Sequence, residues 1–427
     1  MAILTPSRPP RASSGKPGLA SQGSLATTAS QWLAHPMADV VLVTVPALLL
    51  MSLGVIMVWS ASTVFSYTQF GNAFYFLQRH VVFMVVALAA GWVASRLPTE
   101  KLRALGWAVY ILAGLLLVLT FTPLGYGVGG NKNWLNFGGP GSMIRLQPAE
   151  FAKLAIVVWG ACVLANKRAL LDRPKHLLVP FLPFSLVLIA LVVLQRDLGT
   201  ALVLGALVLA VLWCVGAPLR VLGALAAMVA GGVGVLVATN PHRLARIFGF
   251  LDPAADPTGI NHQPLQALYG LATGGWFGVG LGASRQKWGK LSEAHTDYVL
   301  AIIGEELGLV GTLAVLCLFI VLGWGGVRIA LRSSTFFGRL IAAGVTSWLM
   351  LQALVNVMVV LRLLPVIGVP LPFVSYGGSA LLANAIALGI LVACAREEPD
   401  AQAWLARRAR SRRPRRRRSA VLPGRPS

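Results

Sequence analysis

Ten apolar stretches run through this chain, near 38–60, 79–96, 104–122, 149–166, 177–195, 198–216, 219–239, 297–324, 338–364 and 377–395. Each approaches the roughly 20 residues that cross a bilayer. Hydrocarbon offers no water to the backbone, so an open chain can cross it only as helices. The expected fold is an all-α polytopic membrane protein with about ten transmembrane helices. Composition agrees: of 427 residues, 56% are hydrophobic and 12% charged, against about 25% charged in soluble domains. Cys162, Cys214, Cys317 and Cys394 lie singly inside apolar runs. None has metal-ligand or CxxC spacing, so they read as packing residues.

The net charge of +22 would suggest nucleic acid in a soluble protein. Here the basic residues sit beside the spans and in the tail, so no nucleic-acid partner is expected. Arg96, Lys101 and Arg103, then Lys167, Arg168, Arg173 and Lys175, then Arg220, then Arg328, Arg332 and Arg339 fall in alternate connections. That pattern marks the cytoplasmic side and, with an even span count, puts both termini there. Residues 1–36 read as a disordered basic cytoplasmic arm with no signal peptide. Residues 37–396 form the membrane domain, and 397–427 a basic cytoplasmic tail that meets anionic membrane lipid. The opposite side gathers 123–148, 195–198, the large extracellular loop 239–296 and 365–376. The large loop far exceeds an ordinary connection and keeps Phe248, Phe250, Tyr269, Trp276 and Phe277, so it is expected to pack on the membrane surface. No internal repeat is evident, which weakens an inverted-repeat transporter.

Polar groups concentrate in KWGKLSEAHTDYVLAIIGEELG, 287–308. Carboxylates beside a membrane span mark function by default. At about 100° per residue, Ala301, Gly304, Gly308 and Gly311 follow Asp297 down one face, the small-residue stripe of close helix packing. Asp297 then heads a packed face; the alternative is a plain helix cap. Glu305 and Glu306 lie two turns deeper, where a structural hydrogen bond is expected.

In GGNKNWLNFGGPGSMIRLQPAEFAKL, 129–154, Pro148 and Glu150 suit a first helical turn. Glu150 and Lys153 share a face, either as a buried ion pair or as part of a phosphate-holding surface with Arg145 and Lys132. Trp134 is an interfacial anchor or a pocket wall. In QRDLGTA, Asp197 is a natural N-cap or a partner for the other outer polar groups. In LLPVIGVPLPFVSYGGSALLAN, Pro365, Pro370 and Pro372 forbid a regular helix, which brings Ser375 and Tyr376 to a polar cavity or a plain loop. Arg79, in FYFLQRH, either snorkels or adds to a phosphate surface.

These motifs, in this order over roughly 40–396, resemble the SEDS family (shape, elongation, division and sporulation), which includes FtsW and RodA. The resemblance implies ten transmembrane helices and polymerisation of lipid II into peptidoglycan strands on the outer face of the cell membrane. It places Asp297 at the family's essential aspartate, and Trp134, Glu150, Lys153, Asp197 and Ser375 at positions lining its outer cavity. Lys132 and Asn133 stand where paired arginines are common, and Arg196 where proline is frequent. The GGNKNWLNFGGP form, long arm and arginine-rich tail resemble the division branch of actinobacteria, which acts at the septum with a class B penicillin-binding transpeptidase and other divisome proteins.

The implied reaction is an inverting glycosyl transfer with Asp297 as general base. Lys153, Arg145 and Arg79 would meet the leaving pyrophosphate, and His295 would adjoin the substrate. No cofactor is expected beyond Mg²⁺ or Mn²⁺ carried by the pyrophosphate; no metal-ligand spacing stands out. Alternatives are a RodA-like elongation polymerase, a lipid II flippase or transporter, and a non-enzymatic scaffold.

Overall fold

The computed structural model describes residues 31–412 apart from 129–130, 139–144, 253–255, 257–258 and 260. The arm up to residue 30 and the tail beyond 412 lie outside the described residues.

The expected spans form in order among shorter helices: α1 (Ala38–Phe70), α2 (Tyr75–Ala94), α3 (Thr99–Ala104), α4 (Gly106–Leu119), α5 (Pro148–Asn166), α6 (Pro174–Leu178), α7 (Phe181–Leu194), α8 (Leu198–Val215) and α9 (Leu219–Ala238). They continue with α10 (Pro241–Leu251), α11 (His262–Gly274), α12 (Val299–Arg332), α13 (Phe336–Val360), α14 (Gly378–Arg396) and α15 (Pro399–Arg412). Among the described residues, nine helical segments are long and apolar enough to cross a membrane, α6 and α7 counting as one; α4 is a tenth, shorter apolar helix. The 33 residues of α1 rise about 50 Å, well beyond a bilayer's apolar thickness.

The structure departs from expectation in several places, beginning with α1, which runs to Phe70 where the span was expected to end near 60. Helix α12 starts at Val299, after Asp297, and runs to Arg332 with a break at Gly308. The start of the basic tail is the helix α15. The all-α expectation also missed a small antiparallel sheet, β1 (Gly125–Val128), β2 (Asn131–Asn136) and β3 (Arg145–Leu146), ordered β1-β2-β3. Strands this short among glycines carry too little alternation to be seen in sequence.

Helix α5 is the axis of the bundle: Ala149, Ala152, Ala155, Ile156 and Trp159 are fully buried. The Trp159 ring meets Tyr110 at 4.7 Å, and Phe181 and Phe184 at 6.0 and 5.7 Å. Helix α9 is peripheral, with only Leu225 buried. The apolar faces left outside suit a lipid solvent, in which close packing rather than hydrophobicity joins helices. Thus α2 and α14 cross at Gly91 and Gly389, where a side chain on Gly389 would strike the Gly91 carbonyl.

One end of the bundle is closed by charge. Arg328 pairs with buried Asp39 at 2.6 Å, and Arg332 with Glu398 at 2.9 Å. Glu397 accepts from the Thr99 amide at 2.7 Å and hydroxyl at 2.5 Å. The four polar segments expected to meet do so at the other end. Asn133 reaches Asp197, Arg243 reaches the Arg196 carbonyl, Arg362 reaches α10, and the Tyr376 amide reaches the His295 carbonyl.

Candidate active site

Asp297 sits just before α12. The helix is capped at Tyr298 without any side-chain bond, and Thr296 turns to the Glu293 carboxylate at 2.6 Å. Capping therefore does not explain Asp297. Its backbone is pinned instead: Asn356 Nδ2 donates to the Asp297 carbonyl at 2.7 Å and to the Val369 carbonyl at 2.8 Å. Nothing among the described residues donates to the half-buried carboxylate. Gly368, at φ 75° in the proline-rich segment, leaves it room, since a side chain there would come within 3.4 Å of Oδ2. Burial, then the like charges of Glu293 and Asp197, push its pKa up to about 7.

The polar face of α13 organises this end. Gln352 lies one turn from Asn356. Its Oε1 accepts from Lys153 Nζ at 2.8 Å and Trp348 Nε1 at 2.9 Å, and its Nε2 donates to the Pro370 carbonyl at 3.0 Å. Lys153 also pairs with Glu150 at 2.7 Å and lies over the Trp348 ring. At 1% exposure, Lys153 takes the ion-pair alternative. A hydrogen-bonded path runs from it to Asp297 through Gln352, the 369–370 backbone and Asn356. Gln352 and Asn356 escaped the sequence reading; the signal was two amides four residues apart in an otherwise apolar span, hence on one face.

Asp197 is the N-cap of α8, accepting from Thr200 N at 3.0 Å and Oγ1 at 2.9 Å, and it takes Asn133 Nδ2 at 3.2 Å. Asn133 therefore fastens the sheet to the site. Trp134 is half-buried beside Tyr126 across the β1–β2 pair. Arg145 lies over the Tyr126 ring at 4.3 Å. Ser375 is buried, and its hydroxyl accepts from the Leu371 amide at 2.9 Å, holding its own turn.

A second group forms around Tyr376. The His295 ring packs on Phe65, Phe76 and Tyr376 at 5.8, 4.7 and 5.6 Å. Burial holds His295 below its usual pKa despite Glu293. Burial raises the Tyr376 phenol, against the pull of Arg79 and Arg145. Arg79 donates to the Tyr75 hydroxyl at 2.9 Å. Among the described residues, no group of three or more His, Cys, Asp or Glu side chains could hold a metal.

Glu305 and Glu306 brace the site, as expected for structural carboxylates. Glu305 accepts from the Ser284 hydroxyl and from the Arg285 amide at 2.9 Å. Glu306 accepts from the Ser60 hydroxyl at 2.6 Å and pairs with Lys287 at 3.6 Å. At Gly308 (φ 70°) α12 breaks. Residues 275–280 fill the gap: Leu309 and Val310 amides donate to Gly275 and Trp276 carbonyls, and Val279 and Gly280 amides donate to Glu305 and Glu306 carbonyls. Broken backbone at membrane depth is thus satisfied by protein.

Residues 40–400 match the profile of the cell cycle proteins FtsW, RodA and SpoVE. The chain belongs to this family. It is 39% identical over 376 residues to a probable peptidoglycan glycosyltransferase FtsW of Mycobacterium tuberculosis, covering 88% of this chain and 71% of that one. It is 36% identical to the stage V sporulation protein E of Bacillus subtilis, covering 83% and 96%. A solved peptidoglycan synthase complex, described as coordinating polymerization and crosslinking, contains a chain that superposes with a TM-score of 0.67 at 27% identity, covering 86% and 99%. The rod shape determining protein RodA of Thermus thermophilus gives 0.61 at 25%, with the same coverage. The FtsW, RodA and SpoVE family assignment fits a multi-pass membrane protein.

Proposed function

We propose that this chain is a peptidoglycan glycosyltransferase that polymerises lipid II in septal wall synthesis during cell division. The observation that carries it is Asp297: a carboxylate without a hydrogen-bond donor among the described residues, held by its backbone, with a pKa near 7. A general base works best with a pKa near the operating pH. The 4-hydroxyl of one chain's GlcNAc attacks C1 of another's MurNAc with inversion. Asp297 takes the hydroxyl proton, and undecaprenyl pyrophosphate leaves.

Arg145 and Arg79 are better placed than Lys153 to meet the pyrophosphate, because Lys153 is consumed by Glu150 and Gln352. Trp134 and Asn133 would form the wall beside the substrate, and His295 and Tyr376 an apolar rim. Any Mg²⁺ or Mn²⁺ would be carried by the pyrophosphate and would neutralise its charge, because the Asp197 carboxylate is already taken by Thr200 and Asn133 and Asp297 is reserved for the hydroxyl proton. The site end faces outward, consistent with the basic connections at the other end. A class B penicillin-binding transpeptidase is the proposed partner, in line with the synthase complex that resembles this chain.

The test is polymerisation of purified lipid II by the wild type and Asp297→Asn, each alone and with the transpeptidase. Polymer from the wild type and none from Asp297→Asn is expected. Equal polymer from both sinks the base assignment. Lipid II crossing liposomes without polymer moves the function to transport.

A further inference from the structure

A polar cavity of about 280 Å³ lies on the far flank of the segment leading to Asp297, lined by Arg246, Asn261, Gln263, Ser292, Arg362 and Pro365 among others. Its walls come from α10, the start of α11, the residues just before Asp297 and the segment after α13. All lie outside the spanning helices. Gln263 Nε2 donates to the Ser292 carbonyl at 2.9 Å, fastening the wall to the Asp297 segment. Arg362 donates to the Gly249 and Phe250 carbonyls at 3.0 and 3.3 Å. Arg246 makes no hydrogen bond or ion pair among the described residues, and its positive field reaches Tyr298, next to Asp297. The neighbouring carboxylate, Glu293, is turned to Thr296.

Two guanidinium groups in one cavity, neither paired with a carboxylate among the described residues, form a site for an anion, and planar forks match carboxylate or phosphate. Position separates the two. A pyrophosphate tied to a lipid tail stays beside the spans, whereas this cavity is walled only by connections beyond them. Its volume falls just short of the range for sites that enclose a whole ligand, about 300–1,000 Å³, and so suits one end of a chain. Gln263, whose amide nitrogen is committed to Ser292, keeps its amide oxygen as an acceptor for a peptide N–H.

We propose that this cavity is a subsite for a carboxylate of the peptide carried by the glycan substrate, with Arg246 as its chief ligand and Arg362 as its second. The subsite rests on the peptidoglycan reading and deepens it: the enzyme would select peptide-bearing sugar while Asp297 performs the transfer.

The probe is water-soluble N-acetylmuramyl pentapeptide, which has neither lipid nor pyrophosphate, titrated calorimetrically against the detergent-solubilised full chain. Inorganic pyrophosphate is the competing probe. Arg246→Gln is expected to weaken pentapeptide binding about tenfold, a loss of about 1.4 kcal/mol, with Arg246→Lys intermediate. Pyrophosphate should not compete. Absent binding by the wild type, equal binding by Arg246→Gln, or displacement by pyrophosphate overturns the subsite. Because binding is read without polymerisation, a chain that binds pentapeptide but makes no polymer overturns the proposed reaction and leaves the subsite standing.

Discussion

Asn356 holds Asp297 by its backbone: one side-chain amide, buried on α13, bonds the Asp297 carbonyl at 2.7 Å and the Val369 carbonyl at 2.8 Å. The proposed base and the proline-rich segment facing it are thereby fixed to one point, while the carboxylate itself accepts no hydrogen bond from the described residues.

Replacing Asn356 by Leu leaves two buried carbonyls without their donor, at about 1–3 kcal/mol each. Insertion should survive, but Asp297 should lose its position. A drop of about tenfold or more in kcat with little change in KM is expected in lipid II polymerisation. An unchanged kcat in a folded variant would remove the positioning role.

The pKa near 7 sets a pH dependence. A raised carboxylate pKa means that Asp297 is protonated, and unable to accept a proton, below about pH 7. Activity should therefore fall as pH drops through that value. Burial is the largest cause and Glu293 the second, so Glu293→Gln removes a like charge and should move the acid limb downward. A pH–rate profile of both proteins checks the sign, and an upward move would contradict it.

Lys153 and Glu150 separate a structural ion pair from a substrate contact. Either single neutral replacement, Lys153→Met or Glu150→Gln, leaves a buried charge alone, at a cost of about 3–5 kcal/mol. The double variant should recover most of that stability in a thermal melt. Recovery of polymerisation along with stability marks the pair as architecture; a stable but inactive double variant assigns Lys153 to the reaction.

Gly308→Ala tests the broken helix. The φ of 70° is poorly tolerated by alanine, at about 1–3 kcal/mol, and the new methyl would meet the Gly278 amide and the Trp276 carbonyl. Lower thermal stability and faster proteolysis within 275–288 are expected. Unchanged cleavage there would show that the 275–280 segment does not depend on the break.

The sequence by itself determined the order of the spans and, to within the short helix Gly106–Leu119, their number, because apolar length and backbone satisfaction in lipid leave few solutions. It also determined the motif order, the cap at Asp197 and the bracing by Glu305 and Glu306, since these depend on neighbours along the chain or on the cost of a buried carboxylate. Tertiary structure alone decided which outer groups meet. Asn356 lies 59 residues from Asp297 and Lys153 lies 199 from Gln352, and no periodicity encodes such pairings. The same holds for the break at Gly308, whose cost is offset by backbone from another segment, and for the inward turn of Lys153. A span's composition states that it is buried; only the packed neighbours decide what each polar side chain finds there.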